Sequence, residues 1–287
     1  MSGVALPSRL SPFARPPQLA DWLILTAIVV ISVAAAFPLA WMVLTSLKTP
    51  AETMQTPPVW IPATPSLAAY GKVSEVVQAG RSFLNSAIIA TTTTAGILLT
   101  SLLAGFAFAK YEFRGREILF AIVIATMFLP PIVTLIPLYR LVGYLHIDGG
   151  LAGVIAPNLA NAFGIFLMRQ FVASSIPKDL VEAARMDGCS ELGIYARIVL
   201  PLLKPALGTL GLITFIASWN NFIGPLIVMR SPEMYTLPLA LRSLQSPVNT
   251  EWGALMTGSA IATLPLVVLF VLSSRQLISG LTAGAVK

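Results

Sequence analysis

The chain has 287 residues, 56% of them hydrophobic and only 10% charged, with a mean hydropathy of +0.83. A water-soluble chain of this length needs far more charged surface, so composition excludes an ordinary soluble enzyme and points to membrane-spanning runs of about 20 apolar residues each. The net charge of +6 is the mark of arginines and lysines gathered on one membrane face, because no basic stripe interleaved with aromatics offers a surface for nucleic acid.

Residues 1–20 are rich in proline and serine and carry Arg9 and Arg15, which predicts a cytosolic arm. Residues 22–47 form the first predicted span. Ala34-Ala35-Ala36 resembles a signal-peptidase site, but the apolar run continues to Leu44, so a retained anchor is expected. Residues 48–82 form an external segment whose first half holds Pro50, Pro57, Pro58, Pro62 and Pro65 and so lacks long regular structure. A short surface helix is expected over 67–79. The second span covers 83–109, with a threonine run at 91–94 that can bond back to its own helix or pack closely on a neighbour.

A short charged loop at 110–117 leads to the third span, 118–141. Pro130-Pro131 and Pro137 interrupt it and predict a kinked helix, used either for packing or to line a pathway. An external turn at 143–150 precedes the fourth span, 151–171, which carries Asn158 and Asn161. The fifth span, 206–229, carries Trp219, Asn220 and Asn221. An external loop at 230–253 leads to the sixth, 254–277, and a glycine-rich tail ends in Lys287. The expectation is an all-α integral membrane protein of one domain, with an arm at 1–20, a six-span core at 21–277 and a tail at 278–287.

Between the fourth and fifth spans lies the longest polar interval, 174–205. Pro177 suits a helix start, and Asp179 and Glu182 place negative charge in the first turns. Gly188 suits a left-handed helix end, Ser190 a second cap, and Pro201 a second stop. The local prediction is helix, glycine turn, helix, outside the membrane. Glu182-Ala183-Ala184, Gly188, Ile198, Leu200 and Pro201 fill the "EAA" pattern of binding-protein-dependent ABC importer permeases. The flanking Ile176-Pro177 and Met186-Asp187-Gly188, with the tail from Gly280, resemble the MalG-type branch, which takes up carbohydrates. The resemblance runs from Ser46 to the C-terminus.

This resemblance implies a translocation subunit of the bacterial cytoplasmic (inner) membrane, not an enzyme. It implies a second, MalF-like permease, two ATPase subunits and an extracytoplasmic solute-binding protein as partners. No cofactor is expected in this chain, since ATP and Mg²⁺ belong to the partner ATPases. Glu182, Ala183, Ala184, Arg185, Met186, Asp187, Gly188, Ile198, Leu200 and Pro201 are then the ATPase-docking loop. The alanines would let a helix sit close in a groove, with Glu182 and Arg185 at the rim. The MalG-type terminus also reaches the ATPase dimer, an expectation carried to Gly280 and the residues after it.

The absent chemistry agrees. There is no phosphate loop, no H-E-x-x-H and no G-x-S-x-G, and the single cysteine, Cys189, and single histidine, His146, leave no nucleophile–base or zinc arrangement. Between their charged ends the spans hold no Asp, Glu, Lys or Arg, which removes the groups a proton relay uses. The neutral Asn158, Asn161, Trp219, Asn220 and Asn221 could meet sugar hydroxyls, with Trp219 stacking on a ring, or could serve helix packing. The rival class is a self-contained secondary transporter or channel. The rival solute is a polyol or glycerol phosphate.

Lys110, Arg114 and Arg116 in the first short loop, and Arg169, Lys178, Arg185, Arg197 and Lys204 around the polar interval, make one face the more basic. That face is predicted to be cytosolic. A membrane-impermeant thiol reagent applied to intact cells should then leave Cys189 unmodified, whereas Asp148→Cys in a Cys189→Ser background should react. The reverse labelling would overturn the orientation.

Overall fold

The structure, a computed structural model, describes residues 19–246 and 250–283, with side chains as far as 273. The predictions for most of the arm and for the last residues of the tail lie outside this range. All regular elements among the described residues are helical, apart from one isolated bridge between Gly149 and Met229.

Helix α1 (Leu19–Ser46) is followed by the short α2 (Pro50–Thr53) and by α3 (Ala68–Val76), the predicted surface helix. Thr49 caps α2 through a capping box with Glu52. Helix α4 (Ala79–Lys110) is the second span and the centre of the bundle. Gly105 and Gly164 explain its closest neighbour. A Cβ on Gly105 would stand 2.7 Å from the Met168 Cβ, and one on Gly164 would land on the Ser101 hydroxyl. Small residues here bring the α4 backbone against that of α8 (Ala162–Ser175).

The third span departs from the predicted kink. It is two helices, α5 (Arg116–Thr126) and α6 (Pro131–Tyr144), bent by 102°. Pro130 is extended (φ −60°, ψ 130°) and Pro131 restarts the helix, so two successive residues without N–H groups end the ladder instead of bending it. Pro137, by contrast, lies inside an intact α6.

The fourth span reads α7 (Leu151–Ile155), a 3₁₀ turn at Ala156–Asn158, then α8. Asn161 caps α8, its Oδ1 accepting from the Gly164 N–H at 2.9 Å. The amphipathic hairpin that follows contains α9 (Lys178–Met186), α10 (Glu191–Ile194), a π turn at Tyr195–Val199, and α11 (Leu200–Leu202). The fifth span is also broken. Helix α12 (Lys204–Trp219) stops at Asn220, and α13 (Ile223–Val228) resumes after Asn221, whose Oδ1 accepts from the Gly224 N–H. Asparagine side chains compete for backbone partners, which a purely apolar count of this span overlooks. The predicted external segment at 230–253 contains α14 (Leu237–Ala240), and α15 (Trp252–Ala283) covers the predicted sixth span and runs through most of the predicted tail.

By length and composition, Leu19–Ser46, Ala79–Lys110, Leu151–Ser175 and Trp252–Ser273 can each cross a membrane, and counting each bent pair as a span gives up to 6. The second bent pair is Glu191–Leu202 with Lys204–Trp219, at 76°. Apolar stripes of α4, α8, α12 and the hairpin share one buried cluster, centred on Leu102, Met168, Ile194 and Leu210.

Candidate functional site

Pro177 takes an extended conformation (φ −61°, ψ 146°) and α9 begins at the next residue, with Asp179 in its first turn. Val181 and Ala184, three apart, turn into the core, while Glu182, Ala183, Arg185, Met186 and Asp187 are exposed. Only one of the two motif alanines therefore faces outward. Ala184 packs inside the protein.

Helix α9 ends as the glycine predicts. Gly188 has φ +81°, and the Cys189 N–H reaches back to the Ala184 carbonyl at 3.0 Å. Among the described residues nothing lies within 4 Å of where a Gly188 Cβ would stand, so the requirement there is conformational and not steric. Ser190 caps α10 by accepting from the Gly193 N–H at 3.2 Å.

Pro201 does not stop the second helix. The chain stays helical to Leu202 and bends at Leu203 (φ −96°, ψ 5°). A π turn precedes the proline, with the Leu200 N–H bonded to the Tyr195 carbonyl, and relaxes the register where the proline supplies no donor.

The hairpin is tied to the membrane helices in two ways. The first is apolar: Val181, Ala184, Ile194, Val199 and Leu203 join Phe106, Met168, Val172 and Ile176 in one cluster. The second is polar. Arg185 grips Glu191 with two bonds, Nε to Oε1 at 2.7 Å and Nη2 to Oε2 at 3.2 Å. The Tyr111 hydroxyl donates to the same carboxylate, and the guanidinium lies 5.5 Å from the Tyr111 ring centroid. Lys110 donates to the Ile176 carbonyl, and Lys178 pairs with Glu112 at 3.4 Å.

Arg185, expected at a docking rim, is thus committed within the hairpin. Its hydrogen bonds, then that of Tyr111, hold the Glu191 carboxyl below its usual range. Burial first, then Glu191, pushes the Tyr111 phenol up. A carboxyl pKa lowered by folding gives support at neutral pH that is lost only on acidification through the lowered value. Sequence reasoning missed Tyr111 and Glu191, because no local spacing signals a contact between residues this far apart in the chain.

The outer surface of the hairpin has the opposite character. Met186 is 84% and Leu192 79% exposed, flanking the Gly188 turn. Among the described residues Glu182 has no ion-pair partner, and with Lys110, Lys178 and Arg185 it lines a cavity of ≈390 Å³. Ile198 is half-buried, and Leu200 and Pro201 are exposed.

The neutral polar residues of the spans divide into two groups. Asn158, Asn161 and Asn221 line a cavity of ≈160 Å³ between α4, α12 and the α7–α8 connection, together with Thr93 and Ser218. The Thr93 hydroxyl is buried and has no hydrogen-bond partner among the described residues. Trp219 and Asn220 are not part of this lining. Trp219 is 2% exposed, its indole N–H donates to the Ala262 carbonyl at 3.0 Å, and Phe83 and Phe215 pack on its ring. Asn220 is exposed and bonds back to Ile216.

The family described as "Binding-protein-dependent transport system inner membrane component" matches residues 96–282, a stretch that includes the whole hairpin. The chain belongs to this family. It is a multi-pass inner-membrane component of a transport system. The chain is 38% identical over 255 residues to the arabinooligosaccharides transport system permease protein AraQ of Bacillus subtilis (strain 168), covering 88% of this chain and 90% of that one. It is 30% identical over 276 residues to the lactose transport system permease protein LacG of Rhizobium radiobacter, covering 95% and 97%. A chain from the crystal structure of a bacterial ABC transporter that imports the acidic polysaccharide alginate superposes with a TM-score of 0.80 at 22% identity, covering 91% of this chain and 99% of that one. That likeness concerns the fold.

The positive φ of Gly188 gives a graded test. A Cβ in the left-handed region costs about 1–2 kcal/mol, and asparagine tolerates the region best after glycine. Gly188→Asn should keep most of the transport rate, while Gly188→Val should lose most of it, with both proteins inserted at wild-type levels. Equal rates for the two variants would show that the turn conformation is immaterial.

Proposed function

We propose that this chain is a membrane-spanning subunit of an ATP-driven importer that moves a carbohydrate into the cytosol, and that the 177–203 hairpin is where an ATPase subunit docks. The observation that carries this reading is the two-sided build of the hairpin. One side is fastened to α4, α8 and α12, while the other offers exposed Met186, Leu192 and Glu182 around a glycine turn. Met186 and Leu192 are long apolar side chains that a docked partner would cover. Two ATPase subunits, which would hold ATP and Mg²⁺, a second MalF-like permease and an extracytoplasmic binding protein complete the assembly.

Six crossings with both termini in the cytosol fit this reading. The third crossing is then made by α5 with α6 and the fifth by α12 with α13, while Glu191–Leu202 stays outside the membrane with the hairpin; irregular backbone at membrane depth is accommodated where protein or a wet cavity satisfies it. The relatives' named solutes, arabinooligosaccharides and lactose, point to a carbohydrate cargo. The cavity edged by Asn158, Asn161 and Asn221 offers hydroxyl-matching groups without charge. Trp219 and Asn220 support the pathway from outside that lining. Closing of the ATPase pair would move the docked hairpin, and the attached helices would pass between outward-open and inward-open arrangements, a two-state equilibrium biased by partner binding.

Glu182→Lys reverses a charge on the exposed docking face without touching a span. The variant should insert normally and lose most uptake in the reconstituted assembly, either because the ATPase no longer co-purifies or because it hydrolyses ATP without transport. Wild-type uptake would contradict the docking role. Solute flux by this chain reconstituted with no ATPase would establish the secondary-transporter reading instead.

A further inference from the structure

Lys48 lies just beyond the C-terminal end of α1 and carries a buried charge. The residue is 3% exposed, and its ammonium lies 3.9 Å from the Trp41 ring centroid and 3.5 Å from the Thr45 hydroxyl. No carboxylate pairs with it among the described residues. Among the described residues, the only other charged ones around the adjoining cavity of ≈200 Å³, Lys72 and Glu251, neutralise each other at 2.5 Å. The cavity therefore keeps one uncompensated positive charge. A ring face and the carbonyl end of a helix attract a cation but supply no full counter-charge. Burying an ion without one is costly.

The same face of α1 continues as an apolar groove. Trp41 packs edge-on against Trp60 at 5.5 Å, and Phe37 lies 6.1 Å from both rings. Phe37 also closes a groove of ≈550 Å³ formed with Val29, Val30, Val33 and Ala34. At 3.6 residues per turn, Val30, Val33, Phe37 and Trp41 fall on one side of the helix, and Lys48, just beyond its end, lays its ammonium on the Trp41 ring. The order along that side is hydrocarbon surface, aromatic girdle, buried cation. An anionic phospholipid has the matching order of acyl chain, glycerol region and phosphate, and aromatic side chains sit at the headgroup level of membranes.

We propose that this strip binds one anionic phospholipid, with its phosphate on the Lys48 ammonium and an acyl chain in the Val29–Phe37 groove. Charge complementarity selects this occupant. A helix of another subunit would fill the groove but leave the ammonium unpaired, and free phosphate would meet the ammonium but leave the groove empty.

Native mass spectrometry of the assembled, detergent-purified importer tests this, with phosphatidylglycerol, phosphatidylethanolamine and inorganic phosphate as separate probes. The wild type should retain one more phosphatidylglycerol than Lys48→Gln does, with roughly fivefold weaker retention in the variant, the effect of about one interfacial cation. Val33→Trp fills the groove and leaves Lys48 in place, so it should lose the same lipid copy even if Lys48→Gln assembles poorly. Phosphatidylethanolamine should bind more weakly, and inorganic phosphate should not displace the lipid. Equal retention in wild type and both variants would overturn the site. Displacement by inorganic phosphate would make it a small-anion site, and loss of the second permease from Val33→Trp would make the groove a protein interface. Either result also ends the lipid proposal.

Discussion

One apolar cluster governs this molecule: the seam in which Val181, Ala184, Ile194, Val199 and Leu203 of the hairpin meet Phe106, Met168 and Val172 of the membrane helices. Protein interiors pack as densely as organic crystals, so a seam of this kind resists sliding. The hairpin is consequently an extension of α4 and α8, although its residues lie outside the apolar runs. The approach of α4 to α8 at Gly105 and Gly164 makes the seam possible, because it brings Met168 and Leu102 into the same layer.

Polar contacts add direction to the apolar seam. The Arg185–Glu191 pair joins the two arms of the hairpin, and Tyr111 joins that pair to the end of α4. These groups are substantially exposed, so each bond is worth little in stability. Their contribution is angular. A bidentate guanidinium–carboxylate contact fixes the orientation of α9 relative to α10. Exposed Met186, Leu192 and Glu182 are thereby presented at a set angle to the bundle. The breaks at Met127–Pro130 and at Asn220–Phe222 lie in other elements, leaving the seam uninterrupted.

Much of this was legible in the sequence for physical reasons. Apolar runs of membrane length marked the spans, and Pro177, Gly188 and Ser190 marked the hairpin, because each of these residues has a backbone preference strong enough to act locally. Pro130-Pro131 announced a disturbance, but whether two prolines bend a helix or end it depends on what satisfies the freed carbonyls, which is a tertiary matter. Pro201 misled for a similar reason, since a π turn absorbed it. Asn220-Asn221 broke a span that hydropathy alone reads as continuous. The Tyr111–Arg185–Glu191 contact and the inward turn of Ala184 came from packing between distant segments, for which local patterns carry no signal. Trp219 looked like a ring for stacking on a sugar, and only its neighbours Phe83, Phe215 and Ala262 reveal that its faces and its N–H are already used.

The central claim is that the hairpin and the membrane helices move as one body. Spin labels at exposed Met186 and at exposed Leu103 on α4, in a Cys189→Ser background, would report the distance between them by pulsed electron paramagnetic resonance in the assembled importer. The account predicts the same narrow distance distribution with the ATPases nucleotide-free and with them trapped in the ATP-bound state. A displaced or broadened distribution on ATP binding would mean that the hairpin swings independently of the bundle, and would contradict it.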